Sequence, residues 1–328
     1  MKKSITLIVL VIMLFAVFAA FTGCDMQEDD RLQIVVTIFP EYDWVMNVVG
    51  KDADWANVTL LLDSGVDLHS YQPSVSDMVS ISKADLFIFI GGESDDWVPD
   101  ALKNTTNKKM HKMNLLSLLG STAKEEQAVQ GMQEEKEEHE QGGHEDEATE
   151  YDEHVWLSLK NASYYVGLIR DELSAIDPDH AEVYAANAAS YIGQLTALDG
   201  QYQEMVSAAS RKTVLFGDRF PFRYLTDDYG LTACAAFSGC SAAANASVDT
   251  IVKLAELVDR YELKVIFKLE SSDGSIAKSI KNATRNKNQQ ILVLDSLQSS
   301  TKKEYAAGRT YLAVMNSNLQ ALTTALTA

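Results

Sequence analysis

"DPDHAEVYAANAASYIGQLTALDGQYQEMVSAAS", residues 177 to 210, is the stretch on which the fold turns. Tyr184, Ala188, Tyr191, Leu195, Leu198, Tyr202 and Met205 recur at alternating spacings of four and three, one apolar stripe of an α-helix. Asp177 and Pro178 supply a cap and a first-turn residue. At 1.5 Å per residue the helix would run roughly 40 Å, long enough to join two lobes and stiffer than a strand hinge.

Short apolar runs alternate with helical patterns on both sides of it. Upstream, "QIVVTI" (33–38), "NVTLLL" (57–62) and "DLFIFI" (85–90) read as strands, with "YDWVMNVVG" and "SVSDMVSISKA" as helices between them. Downstream, "TVLFG" (213–217), "KVIFKLE" (264–270) and "ILVLD" (291–295) repeat the arrangement. Continuous apolar strands separated by helices predict parallel strands buried on both faces. The expected architecture is therefore α/β, two lobes each with a mainly parallel sheet flanked by helices, joined by one long rigid helix. The expected boundaries are 32–176 for the first lobe, 177–210 for the linking helix and 211–328 for the second lobe.

The N-terminus reads as an export signal. Lys2 and Lys3 precede an apolar run from Ile5 to Phe21, followed by "FTGC" ending at Cys24. A cysteine there matches a bacterial lipobox, which would make 1–24 a lipoprotein signal, Cys24 the acylated residue and 25–31 a polar tether. Phe21 stands where leucine is usual, and an uncleaved membrane anchor is the alternative. Either way the remaining chain is expected outside the cytoplasmic membrane, anchored to its outer face. Cys234 and Cys240, in "CAAFSGC", then predict a small-loop disulfide, with two free thiols the alternative.

With 46% hydrophobic and 23% charged residues in 328, most of the chain should fold. The net charge of −19 argues against a nucleic-acid partner, which would call for a basic stripe. It suits a protein that attracts cations, although acidity alone also serves solubility. Between Glu134 and Glu153 there are eleven acidic residues and one lysine, so the segment 124–153 is expected to be a disordered insert. Its His139 and His144, in "HEQGGH", miss the H-E-x-x-H zinc pattern because they are five apart with a glycine pair between.

Four side chains stand just beyond strand ends, where open α/β sheets gather ligands. His69 lies in "GVDLHSYQPS", His154 in "DEHVWLS", Asp218 after "TVLFG", and Asp295 at the end of "ILVLD". Two neutral imidazoles and two carboxylates would cancel a buried divalent cation. Imidazole suits zinc, and carboxylate oxygen also suits manganese. Taken singly, each has an ordinary explanation: a surface histidine, a helix cap, a partner for arginine. Glu270, at the end of "KVIFKLE", is an alternative fourth ligand.

"GVDLHSYQPS", "ADLFIFIGGESDDWV", "DEHVWLSLKNA", "FGDRFPFRYLTDDYGL", "KVIFKLESSDGSIAKSI" and "LVLDSL", in this order around the long helix, resemble the metal-binding lipoproteins of zinc and manganese ABC transporters. These are the cluster A-I solute-binding proteins, and the similarity runs from Leu32 to Ala328. The resemblance implies a periplasmic-binding-protein-like fold with His69, His154, Asp218 and Asp295 as the metal ligands. Leu68 and Glu153 stand where the family usually has proline, and an aspartate at 218 leaves the choice of metal ambiguous. Tyr71 and Trp156 are expected to surround the histidines. A charged, His-containing insert before the second histidine is also a family feature, so His139 and His144 could bind zinc weakly. The expected function is capture of Zn2+ between the lobes and delivery to an ABC permease by a monomer that is not an enzyme. A manganese-specific protein of the same fold is the alternative, and a secreted metallohydrolase a more distant one.

Overall fold

Two four-stranded parallel sheets, ordered β2-β1-β3-β4 and β6-β5-β7-β8, frame the chain. They come from a computed structural model that describes residues 29–133, 150–241 and 245–327. The first half runs β1 (Leu32–Val36), α1 (Phe39–Val49), β2 (Ala56–Leu60), α2 (Val75–Lys83), β3 (Leu86–Phe89), α3 (Val98–Lys103), β4 (His111–Asn114) and α4 (Leu115–Leu119). After α5 (Leu159–Ile176) and α6 (Ala181–Ala208), the second half repeats the plan. It runs β5 (Thr213–Phe220), α7 (Arg223–Asp228), β6 (Thr232–Ser238), α8 (Val248–Arg260), β7 (Val265–Lys268), α9 (Ser275–Ala283), β8 (Gln290–Val293), α10 (Lys302–Ala306) and α11 (Tyr311–Thr327). In each sheet the strand order reverses beside the first strand, which opens a crevice at the carboxyl ends.

The α/β expectation with its long helix is what the structure has. The helix itself starts at Ala181, after a single 3-10 turn at Pro178–His180, and Val206 rather than Met205 completes the buried stripe. Its tyrosines tie both halves to it. Tyr191 donates to Asp43 of α1 at 2.6 Å, and Tyr202 donates to the Met315 carbonyl of α11 at 2.6 Å. The larger core accordingly runs through both sheets, from Ile34 and Phe87 to Phe216, Phe267 and Tyr311, rather than stopping at the linking helix. A smaller cluster lies between β6, α8 and α9.

Part of the supposed insert is ordered. The Ala235 N–H donates to the Gln130 carbonyl at 3.1 Å and the Gln133 N–H to the Ala236 carbonyl at 3.0 Å, so residues 130–133 run along the open edge of β6. Lys124 and Glu150 accept backbone bonds from Asp152 and Glu126, which fixes the returning end. Composition predicted disorder here, but the unpaired backbone of an edge strand offers partners whatever the side chains are. Residues 134–149, with His139 and His144, and residues 1–28, with Cys24, lie outside the described residues.

Candidate metal centre

After β2, Asp67 caps a 3-10 turn at Leu68–Ser70 by accepting the His69 N–H at 3.1 Å. The His69 Nδ1 lies 2.8 Å from the hydroxyl of Ser94, on the loop after β3. Asp152 does the same service for His154: its Oδ1 accepts the backbone N–H at 2.9 Å and lies 3.1 Å from Nδ1. A carboxylate on Nδ1 favours the proton there and leaves the lone pair on Nε2. The two rings are 5.5 Å apart, and both Nε2 atoms are buried without a hydrogen-bond partner. A buried nitrogen left unpaired costs about 1–3 kcal/mol, so two of them on neighbouring rings mark a place built for something else.

Cys240 closes the triangle. It stands just beyond the carboxyl end of β6, and one ligand atom each from His69, His154 and Cys240 lie within 4.8 Å of one another. Gly239 makes the approach feasible, since a Cβ there would fall 2.7 Å from Cε1 of His154 and 3.1 Å from the Phe220 carbonyl oxygen. Tetrahedral zinc wants donors about 3.5 Å apart, so loading would draw this triangle slightly inward. Among the described residues no fourth His, Cys, Asp or Glu joins the group.

Burial, then the neighbouring His154, brings the His69 pKa down to about 4, so its imidazole is neutral and able to bind metal at pH 7. Burial first, then the carboxylates of Glu153, Glu126, Asp152 and Glu93, push the Cys240 thiol well up. Burial also raises Glu153 and Glu126, each of which keeps one carboxylate oxygen without a partner. Burial disfavours the charged forms of these groups, and an arriving cation would favour them. Arg219 on β5 is spent on Asp67, an ion pair that ties the second half to the loop carrying His69.

Among the described residues the structure groups His69 and His154, but neither the expected Asp218 and Asp295 nor the alternative Glu270 joins them. Asp218 lies inside β5, at its register shift, where its oxygens accept the N–H groups of Arg219 (2.9 Å) and Leu269 (3.2 Å). Asp295 accepts both Arg309 Nη2 contacts, at 2.9 and 2.7 Å, and the Leu297 N–H at 2.9 Å, which fixes a turn where Leu297 has φ +63°. Glu270 receives the N–H and hydroxyl of Ser296. The expected disulfide is corrected outright: Cys234 and Cys240 are both free thiols. Cys234 lies within β6 and Cys240 in the turn beyond its end, and the stretch of strand from Cys234 to Ser238 alone spans roughly 13 Å, over the reach of an S–S bond. Trp156 does border His154, with ring centroids 5.2 Å apart, whereas Tyr71 faces Trp97 and Asp77. No histidine stands near Cys240 in sequence, so nothing local marks it as a donor; the fold brings His69 and His154 to it.

Residues 34–325 match the family described as "Zinc-uptake complex component A periplasmic". The chain belongs to this zinc-uptake component family. The zinc-binding lipoprotein AdcA of Streptococcus pneumoniae is 35% identical over 309 residues, 94% of this chain and 58% of the relative. The high-affinity zinc uptake system protein ZnuA of Bacillus subtilis is 30% identical over 295 residues, 89% of this chain and 87% of that one. Against AdcA of Streptococcus pyogenes the chain spans 61% of the relative's length, so it covers less than two thirds of either AdcA. Among solved structures, the Zn(II)-bound ZnuA-like domain of Streptococcus pneumoniae AdcA superposes with a TM-score of 0.70 at 31% identity, covering 91% of this chain and all of that domain. The metal-dependent lipoprotein YcdH of Bacillus subtilis gives 0.72 at 27% identity over the same share of this chain. The uptake-component fold is therefore shared along the two sheets and the helix that joins them.

Proposed function

We propose that this chain is an extracytoplasmic receptor that captures Zn2+ between its two halves and hands it to an ABC permease, catalysing no reaction itself. The observation that carries the reading is the pair of buried Nε2 atoms on His69 and His154, bare of hydrogen bonds on rings whose centroids are 5.5 Å apart. Zinc-binding relatives along nearly the whole chain support it. The manganese alternative leaned on oxygen from Asp218 and Asp295, and those oxygens are taken by Leu269, Arg219, Leu297 and Arg309. Anchoring through an acylated Cys24 belongs to the same proposal, as does a monomeric state.

Three ligands leave the fourth position of a zinc ion to water or an incoming donor. Exchange at that position lets the ion leave without parting two halves that share a core. The test uses chain beginning after Cys24, stripped of metal and titrated with zinc while its melting is followed. At zinc one hundred times above Kd the folded state should gain about 2.7 kcal/mol, and His154→Ala should abolish the gain. An unchanged melting temperature in the unmutated protein would defeat the reading.

A further inference from the structure

We propose that the Cys240 thiolate is the third metal ligand, giving a His69–His154–Cys240 set that commits the cleft to thiophilic divalent cations such as zinc and cadmium over manganese. The proposal rests on the reading of the cleft as a metal-capture site and names the donor that decides which metal it keeps.

Geometry carries it. The cysteine sulfur belongs to the same 4.8 Å group as the two histidine donors. It is a free thiol, and its nearest cysteine in sequence, Cys234, is held inside the strand leading to it. A Cβ on Gly239 would come 2.7 Å from Cε1 and 3.2 Å from Nδ1 of His154, so glycine lets the segment that carries Cys240 pass this close to the ring. Asp218, Asp295 and Glu270 are hydrogen-bonded to backbone, arginine or the Ser296 hydroxyl, and among the described residues the donor grouped with the two histidines is the Cys240 sulfur.

Chemistry follows from the donor set. Thiolate and imidazole suit zinc, whereas manganese favours carboxylate, carbonyl and water oxygen. On loading, the S–H bond of Cys240 is exchanged for an S–Zn bond and the proton leaves to solvent. Two neutral imidazoles and one thiolate leave a single positive charge on a divalent ion. Asp152 behind His154 faces that charge at the outer edge of one imidazole, the arrangement by which a carboxylate strengthens a histidine ligand.

Cobalt reports the test directly. Chain beginning after Cys24, which retains the compact unit Leu32–Ala328, would be kept reduced with a non-chelating phosphine and loaded with Co2+ in place of zinc. An intense near-ultraviolet sulfur-to-cobalt charge-transfer band is expected, and Cys240→Ser should remove it while keeping a folded circular-dichroism spectrum. In competition with a chromophoric chelator, Cys240→Ser should weaken zinc by more than the roughly 10- to 100-fold that even an outer-sphere partner is worth. Cys240→Asp should narrow the preference for zinc over manganese. If the unmutated protein binds zinc, His154→Ala does not, and yet the cobalt complex lacks the band, sulfur is not a ligand and the proposal falls while metal capture stands. If the unmutated protein binds neither zinc nor cobalt, metal capture itself fails and takes the proposal with it.

Discussion

Gly239 is the smallest side chain in the centre and one of its strictest. Alanine there would put a methyl group 2.7 Å from Cε1 of His154, a ring walled on its other side by Trp156 and tied to Asp152. The ring would have to turn, so Gly239→Ala should weaken zinc by roughly 10- to 100-fold, as loss of an outer partner does. Chelator competition measures this, and unchanged affinity would show that the approach is looser than described. That His69 and His154 stand together was legible because each lies inside a segment, "GVDLHSYQPS" or "DEHVWLS", that fixes its place in the fold. The aspartates misled because strand-end position says where a side chain starts, not what it is bonded to. Asp218 is drawn to the Leu269 N–H by a register shift, and Asp295 to Arg309, fourteen residues on, neither visible in spacing.

At the scale of elements, α1 shows how the helix that seals the first sheet is tuned. Glu41 accepts the N–H groups of Thr37 and Ile38 at the helix start, yet it is fully buried and its pKa is pushed up to about 8, by burial first and then by Asp95. Its folded pKa lies above the unfolded value near 4.5, so the unfolded chain releases this proton first as pH rises. The stability it contributes is complete below about pH 4.5 and is lost towards pH 8. Burial raises Asp43 to about 6 and Asp95 to about 7, in the same direction. Glu41→Gln keeps an acceptor for the helix start without the ionisation. Melting temperatures of metal-free protein between pH 5 and 8 should fall less in the variant than in its parent, and parallel curves would contradict the assignment. Elements were legible where burial on both faces forces unbroken apolar runs, as in β1 and β3. The polar edge strand β4 and the alanine-rich edge strand β6 lack that mark, and hydrogen bonding to a neighbour makes them strands.

In the whole molecule, the residue beside the metal centre is also a joint between halves. Trp156 is fully buried, donates its indole N–H to the Ser296 carbonyl at 2.8 Å, and accepts on its own carbonyl from Tyr311 at 2.7 Å. Trp156→Ala should therefore cost about 3–5 kcal/mol of global stability, read from denaturant midpoints of metal-free protein. A loss confined to zinc affinity would mean the halves do not share their core there. The covered edge of β6 reaches further than the site. That strand is seven residues long, mostly apolar, and would otherwise end its sheet with an open row of backbone groups, the usual template for chain-to-chain association. Residues 130–133 occupy the row, and Gly131, at φ +96°, lets them lie so close that a Cβ would come within 2.3 Å of Leu254 Cδ2. Gly131→Val should lift the segment away, and light scattering on warming should then rise before melting begins. The segment that leads into the acidic insert thus doubles as a guard against self-association, and its loss would show first as turbidity.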